Sequence, residues 1–265
     1  MRNILLLLSY DGKGFSGFQL QKRRVSIQGV LQERLRELTG EEVRVVSSGR
    51  TDAGVHAVSQ VVNFATSSSL GPDAFLRALN SRLPTSIRVR ESREVSPEFN
   101  ARKGAARKIY GYVIHNGPVL PPFYDGYAWH LPAPPIDVAR LARIGAQLEG
   151  EHDFRAFMGS GSQVTRTVRR IEKAGVARTR EFVVITFAGN GFLKNMVRNM
   201  VGTMVDFYRG KGKKESLREV IRSKDRKQAG RCAPGCGLYL LGVDYPGLSF
   251  RGELPFILDF GSVVY

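Results

Sequence analysis

The 265-residue sequence predicts an α+β protein made of two ferredoxin-like halves, each an antiparallel sheet with its helices on one face. Two observations predict it. Apolar periodicity gives the order strand, helix, strand, strand, helix, strand, and the same order starts again after residue 107, without residue-level identity between the halves. The length allows one large domain or two small ones and does not choose between them.

In the first half, residues 3–10 (NILLLLSY) read as a buried strand, and the glycine-rich DGKGFSGF that follows is loop. Ile27, Val30, Leu31, Leu35 and Leu38 recur at the three-and-four spacing of one helical face, and Gly40 is placed to stop that helix. Residues 43–47 and 60–65 read as strands, with GRTDAGVHA turning the chain between them. Pro72 suits the first turn of a second helix, which carries Phe75, Leu76, Leu79 and Leu83 on one face and ends before Pro84. Residues 87–90 then complete the half as a strand.

The second half reads as strand IYGYVIH (109–115), helix 137–148, strands 167–176 and 181–189, helix 192–208 and a closing strand GLYLLGVDY (237–245). The expected halves are therefore 1–105 and 106–247, with a tail, 248–265, of no assigned role. Two segments interrupt the pattern. The stretch 211–231 is strongly basic and reads equally as a solvated helix with flanking loops or as a nucleic-acid contact. The proline-rich stretch 118–135 reads as a long functional loop, because Phe123, Tyr124, Tyr127 and Trp129 need burial or a partner.

Lysines and arginines number 40 against 24 acids, giving a net charge of +16 and a pI near 10.2, which points to a polyanionic partner. The longest apolar run, Ile4 to Leu8, is far shorter than the roughly 20 residues of a spanning helix. With no signal-peptide core either, no membrane partner is expected and residence is expected to be cytoplasmic. Cys232 and Cys236 lack the four ligands of a structural zinc site and read as buried or idle thiols. His56, His115, His130 and His152 are scattered without metal-ligand spacing and read as structural. A metal-dependent phosphoryl hydrolase would need clustered carboxylates, to which HDF is the nearest approach.

GRTDAGVHA places one carboxylate, Asp52, in a turn flanked by glycines, with Arg50 two residues earlier. Glycine lets backbone approach a ligand closely, but the same residues form ordinary tight turns, and spacing alone does not separate the two. Arg198 lies on a helix whose Met196, Val197, Met200, Val201 and Met204 are apolar, so it needs a carboxylate or phosphate partner, Asp206 being one alternative. Tyr110 in a strand reads on propensity as a core aromatic. From these residues alone a non-catalytic RNA-binding protein explains the basic surface as well as an enzyme does.

SSGRTDAGVHA closely resembles the signature motif of the tRNA pseudouridine synthase A family. FNARKGAARKIYGY, HDFRAF, GNGFLKNMVRNMVG and APGCGLYLLGVDYP resemble that family's later motifs in the same order, so the likeness runs over residues 3–247. Asn100 stands where the family often has His, and Gly111 where it usually has a second Arg. The resemblance implies a pseudouridine synthase fold with the two halves joined around a central cleft. It also implies isomerisation of uridine at positions 38, 39 and 40 in the anticodon arm of tRNA, by a homodimer. In its terms Asp52 is the nucleophile, Tyr110 stacks on the target base and helps its proton transfer, Arg198 pairs with the aspartate, and Leu238 packs against the flipped base. Phe99, Asn100 and Ala101 join Arg50, Arg102 and Lys103 in binding substrate, and Arg107 and Lys108 add phosphate contacts, which orient RNA with little sequence information.

Elementary chemistry agrees with these assignments. Turning an N-glycoside into a C-glycoside needs a group that adds covalently or stabilises a transient cation, and a carboxylate does either. There is no redox step and no group transfer, so no metal or small-molecule cofactor is expected. An adjacent arginine favours the ionised aspartate. A stacked base must be everted at a cost of a few kcal/mol, offset in part by aromatic stacking of about 1–3 kcal/mol.

Overall fold

The computed structural model describes residues 1–162 and 164–254. Its strands and α-helices follow in the order β1 (Arg2–Tyr10), α1 (Ile27–Thr39), β2 (Val46–Ser47), β3 (His56–Thr66), α2 (Pro72–Arg82) and β4 (Ile87–Val95). Next come β5 (Arg107–His115), β6 (Trp129–His130), α3 (Val138–Ala146), β7 (Gly150–Asp153), β8 (Val168–Thr179) and β9 (Phe182–Gly189). The described chain closes with α4 (Met196–Tyr208), α5 (Leu217–Ser223), β10 (Leu238–Tyr245) and β11 (Leu248–Arg251). It is an α+β protein that divides into two compact units, Met1–Ala106 with Tyr239–Leu254, and Arg107–Leu238.

In the first unit β1 lies between β3 and β4, antiparallel to both, with Leu6 opposite Val62 on one side and Ser92 on the other. Ile4, Leu5, Leu6 and Leu8 are fully buried, as an apolar central strand requires. Ser26 caps α1 by accepting from the Gly29 N–H, and Gly40 ends it in the left-handed conformation. The strand predicted at 43–47 shrinks to Val46–Ser47. Its missing part is bonded elsewhere: Gln28 Nε2 donates to the Val45 carbonyl at 3.1 Å, and the Val45 N–H donates to Gln32 Oε1 at 3.3 Å. Helix side chains thus satisfy groups that a strand ladder would otherwise take.

The closing strand is the main departure from the sequence pattern, which places it at the end of the second half. From Tyr239 onward it belongs to the first unit, where Tyr239 and Leu240 run parallel to His56 and Ala57 of β3. β2 covers the same strand only at Val62 and Asn63. The Tyr239 ring stacks on His56 at 4.7 Å, and β11, drawn from the stretch given no role, pairs antiparallel with β10. The rest of the unassigned tail, residues 255–265, lies outside the described residues.

In the second unit β5, β9, β8 and β7 form an antiparallel run in that order, with β6 added parallel to β5. α4 begins at Met196, four residues later than the pattern suggests, because Asn195 sits at φ 57, outside the right-handed helix. In the 118–135 loop Trp129 meets Tyr112 edge-on at 6.1 Å and Tyr124 meets Phe182 at 4.9 Å, while Phe123 is 85% exposed. The basic stretch is only partly solvated: α5 buries Leu217, Val220 and Ile221. No helix among the described residues is long and apolar enough to cross a membrane.

Candidate active site

Asp52 sits at the tip of a turn that the first unit grips by main chain and by buried polar side chains. The turn closes on itself where the Val55 N–H donates to the Asp52 carbonyl at 3.2 Å, with Gly54 at φ 72. The Phe18 N–H donates to the Thr51 carbonyl at 3.0 Å, and the Thr51 hydroxyl meets the buried Tyr10 hydroxyl at 2.8 Å. Gln60 donates to the Gly49 carbonyl at 2.8 Å and accepts from Ser48, so the start of the turn is tied to β3.

The glycine-rich loop after β1 makes this grip possible. A Cβ at Gly17 (φ 96) would lie 2.7 Å from the Thr51 carbonyl oxygen, and one at Gly12 would lie 2.1 Å from that of Val55. Only backbone without a side chain lets the two loops pack this closely. His56 completes the frame, its Nδ1 accepting from the Gly12 N–H at 3.1 Å. Thr51 and Val55 are buried, whereas Asp52 keeps partial exposure. Burial pushes the Tyr10 phenol up to about 12, with the hydrogen bonds to Thr51 and Gln60 opposing.

The FNARK segment is fastened in the same unit. Asn3 and Asn63 donate to the Phe99 carbonyl at 3.0 and 3.3 Å, and Phe99 packs its ring 5.1 Å from Tyr245. Ala101 is buried, its N–H on Asn63 and its carbonyl accepting from the Tyr245 hydroxyl at 2.8 Å. Asn100 Oδ1 accepts from the N–H groups of Arg102 and Lys103 at 3.1 and 2.9 Å, a local capping role. Arg102 and Lys103 are left exposed, and Arg102 is close enough to Arg50 to lower its pKa, after the larger effect of desolvation. Thus the first unit brings together a carboxylate on a rigid turn and a pair of arginines.

The second unit holds Tyr110, Arg198 and Leu238. Tyr110, buried on β5, faces Phe192 edge-on at 5.0 Å. Arg198, in the first turn of α4, donates from Nε to the Ala233 carbonyl at 2.7 Å, and the Ala233 N–H returns to the Arg198 carbonyl at 3.1 Å. The alternative partner suggested by sequence, Asp206, is held by Arg231, whose Nε lies 2.8 Å away and whose N–H adds a second bond at 2.9 Å. Leu238 is buried at the start of β10, directly after the tight turn Gly235–Gly237. Arg107 pairs with Glu172 at 2.8 Å.

Among the described residues no group of three His, Cys, Asp or Glu is arranged to hold a metal ion. His115 lies 3.2 Å from Glu181, and His130 and His152 bond backbone carbonyls. Burial foremost raises the Cys236 thiol. A pocket of about 270 Å³ opens in the basic stretch, lined among others by Lys211, Lys213, Arg226, Lys227 and Arg231.

A family model described as tRNA pseudouridine synthase matches residues 7–102 and 144–246. The chain belongs to the tRNA pseudouridine synthase family. Curated members named tRNA pseudouridine synthase A are similar over 92% of this chain and all of their own length. They are 43% identical in Pelobacter propionicus, 40% in Thermoanaerobacter sp. strain X514 and 42% in Caldicellulosiruptor bescii. A chain from the crystal structure of a Cbf5-Nop10-Gar1 complex is 11% identical, with a TM-score of 0.35 over 74% of this chain and 52% of its own, too distant to add to the assignment. Asp52, Arg198 and Leu238 fall inside the segments matched to the tRNA pseudouridine synthase family, whereas Lys103 and Tyr110 lie between them.

Three features of the site escaped sequence reasoning: the Tyr10–Thr51 contact, the Ala233 carbonyl that holds Arg198, and the Asp206–Arg231 pair. Each joins residues far apart in the chain, and no local spacing signals it.

Proposed function

We propose that the protein isomerises uridine to pseudouridine at positions 38, 39 and 40 in the anticodon stem and loop of tRNA, with Asp52 as nucleophile on an everted base. As a family member it is an isomerase that acts on uridine in tRNA. The target positions, the nucleophile and the eversion are our reading. The observation that carries it is a partly exposed carboxylate, Asp52, on a turn whose backbone is locked from both sides, within the motif most like the family's signature.

In the reaction the bond from N1 to the ribose C1′ breaks, C5 bonds to C1′, the C5 proton leaves and the freed ring nitrogen takes up a proton. Asp52 supports the detached state covalently, which requires a fixed carboxylate more than a mobile one. Tyr110 stacks on the everted base, Leu238 packs against it, and Arg198 pairs with the carboxylate. Arg50, Arg102 and Lys103 hold phosphates, together with the basic stretch 211–231. The working form in this reading is a cytoplasmic homodimer with tRNA lying across both subunits.

The test is Asp52→Asn with tRNA tritiated at uracil C5. Tritium release is expected to fall at least ~10³-fold, the scale of losing a covalent nucleophile, while tRNA affinity stays within a few fold. Release that persists in the variant would refute the nucleophile assignment.

A further inference from the structure

We infer that Tyr112 is a positioning residue for Arg198, acting through the loop 231–237. The inference rests on the reading of Arg198 as a site residue and adds to it the part of the fold that aims the guanidinium.

Tyr112 lies two residues beyond Tyr110 on β5, so both rings project from the same face of one strand. Its side chain is wholly buried, yet its hydroxyl reaches the Pro234 carbonyl at 2.8 Å. The ring is fitted closely: a Cβ at Gly237 would lie 2.7 Å from the Tyr112 Cζ. Burial, the largest influence, raises the phenol far above its ordinary range, so the hydroxyl stays protonated and donates.

Pro234 follows Ala233, whose carbonyl takes the Arg198 Nε–H at 2.7 Å. The far end of the loop is pinned to the same helix as Arg198. Arg231 makes two bonds to Asp206, and its carbonyl packs where a Cβ at Gly202 would stand, 1.9 Å away. The loop is therefore tied to α4 through Arg231 and to β5 through Pro234, with the arginine's acceptor between these two ties.

An arginine bound through Nε has the plane of its guanidinium set, which directs the two terminal nitrogens. Without the Tyr112 hydroxyl the residue after Ala233 loses its tie to β5, and the Ala233 carbonyl is less firmly placed. The expected result is a guanidinium that stays in place but is less well aimed. That predicts loss of rate rather than of tRNA affinity.

The experiment compares Tyr112→Phe, Arg198→Lys and the double variant by single-turnover tritium release, tRNA binding and thermal melting. Tyr112→Phe is expected to lower the rate roughly tenfold, the scale of one hydrogen bond, with affinity unchanged and the protein folded at assay temperature. Arg198→Lys is expected to lose more, and the double variant to match it, because Tyr112 acts only through Arg198. A spectroscopic readout runs independently of activity: the Arg198 Nε–H resonance, identified by its absence in Arg198→Lys, is expected to move in Tyr112→Phe. An unimpaired Arg198→Lys enzyme would remove the premise about Arg198. An impaired one beside a fully active Tyr112→Phe, additive losses in the double variant, or an unmoved resonance would overturn the Tyr112 assignment itself.

Discussion

The Asp52 turn and the Arg198 clasp hold their groups by opposite means. Around Asp52 the closest approaches are backbone against backbone, made possible by glycines at 12, 17 and 54, with Tyr10 and Gln60 adding side-chain ties. Around Arg198 the restraint is a side chain on a carbonyl, held in turn by Tyr112 on β5 and by Asp206 further along α4 itself. A contact made of main chain is specified by where side chains are missing, and one made of side chains by distant partners. The first tolerates few substitutions at its glycines. The second offers separable steps.

Substituting the close-packed glycines breaks both arrangements and should give the largest effects. Gly202→Ala, mid-helix, would gain about 1 kcal/mol on helix propensity alone. The Arg231 carbonyl in the way of the new Cβ reverses that sign, and a net loss of about 2 kcal/mol or more in denaturant melts is expected. Gly17→Ala combines the Thr51 clash with a left-handed φ of 96, and a similar loss is expected. Because Gly17 bears on the Asp52 turn directly, single-turnover rate in its still-folded fraction should drop by about 10²-fold. Gly17→Ala with wild-type rate would mean that the loop does not set the carboxylate.

A smaller effect comes from Tyr10, whose buried hydroxyl meets that of Thr51 at 2.8 Å. Its phenol is raised from 10.0 to about 12 on folding, so folding favours the protonated form. The associated stability is complete below pH 10 and is lost as pH rises through about 12. Melting against pH should show this alkaline decline in the wild type and a weaker one in Tyr10→Phe. Equal declines would assign the alkaline loss to other groups.

The smallest effect belongs to Lys213 and Lys214 of the basic stretch, which lie outside both arrangements. Lys213→Glu with Lys214→Glu should weaken tRNA binding several-fold and reduce its salt-dependence slope by about 1–2, leaving bound turnover intact. An unchanged slope would remove this face from the tRNA surface.

Much of the first unit could be read from the sequence because its signals are local. Gly40 and Pro72 mark helix ends by their own backbone chemistry, and these ends are found where expected. The Asp52 turn was visible for the same reason, since its glycines and aspartate are contiguous. The purpose of DGKGFSGF was not, because loop composition does not say which backbone it will touch. Nor did the pattern for 43–47 reveal that Gln28 and Gln32 would claim the Val45 backbone.

The sequence by itself determined the α+β class, the order of the main elements without β6, β7 and β11, and a carboxylate held in a tight turn, all of which arise from neighbours within a few residues. Only the tertiary structure decided that Tyr239 and Leu240 join β3 at His56 and Ala57, and that Ala233 rather than Asp206 takes the Arg198 Nε–H. Strand pairing and side-chain acceptors are chosen by which backbone groups remain unpaired once the rest of the chain has packed. That competition is settled between segments distant in sequence.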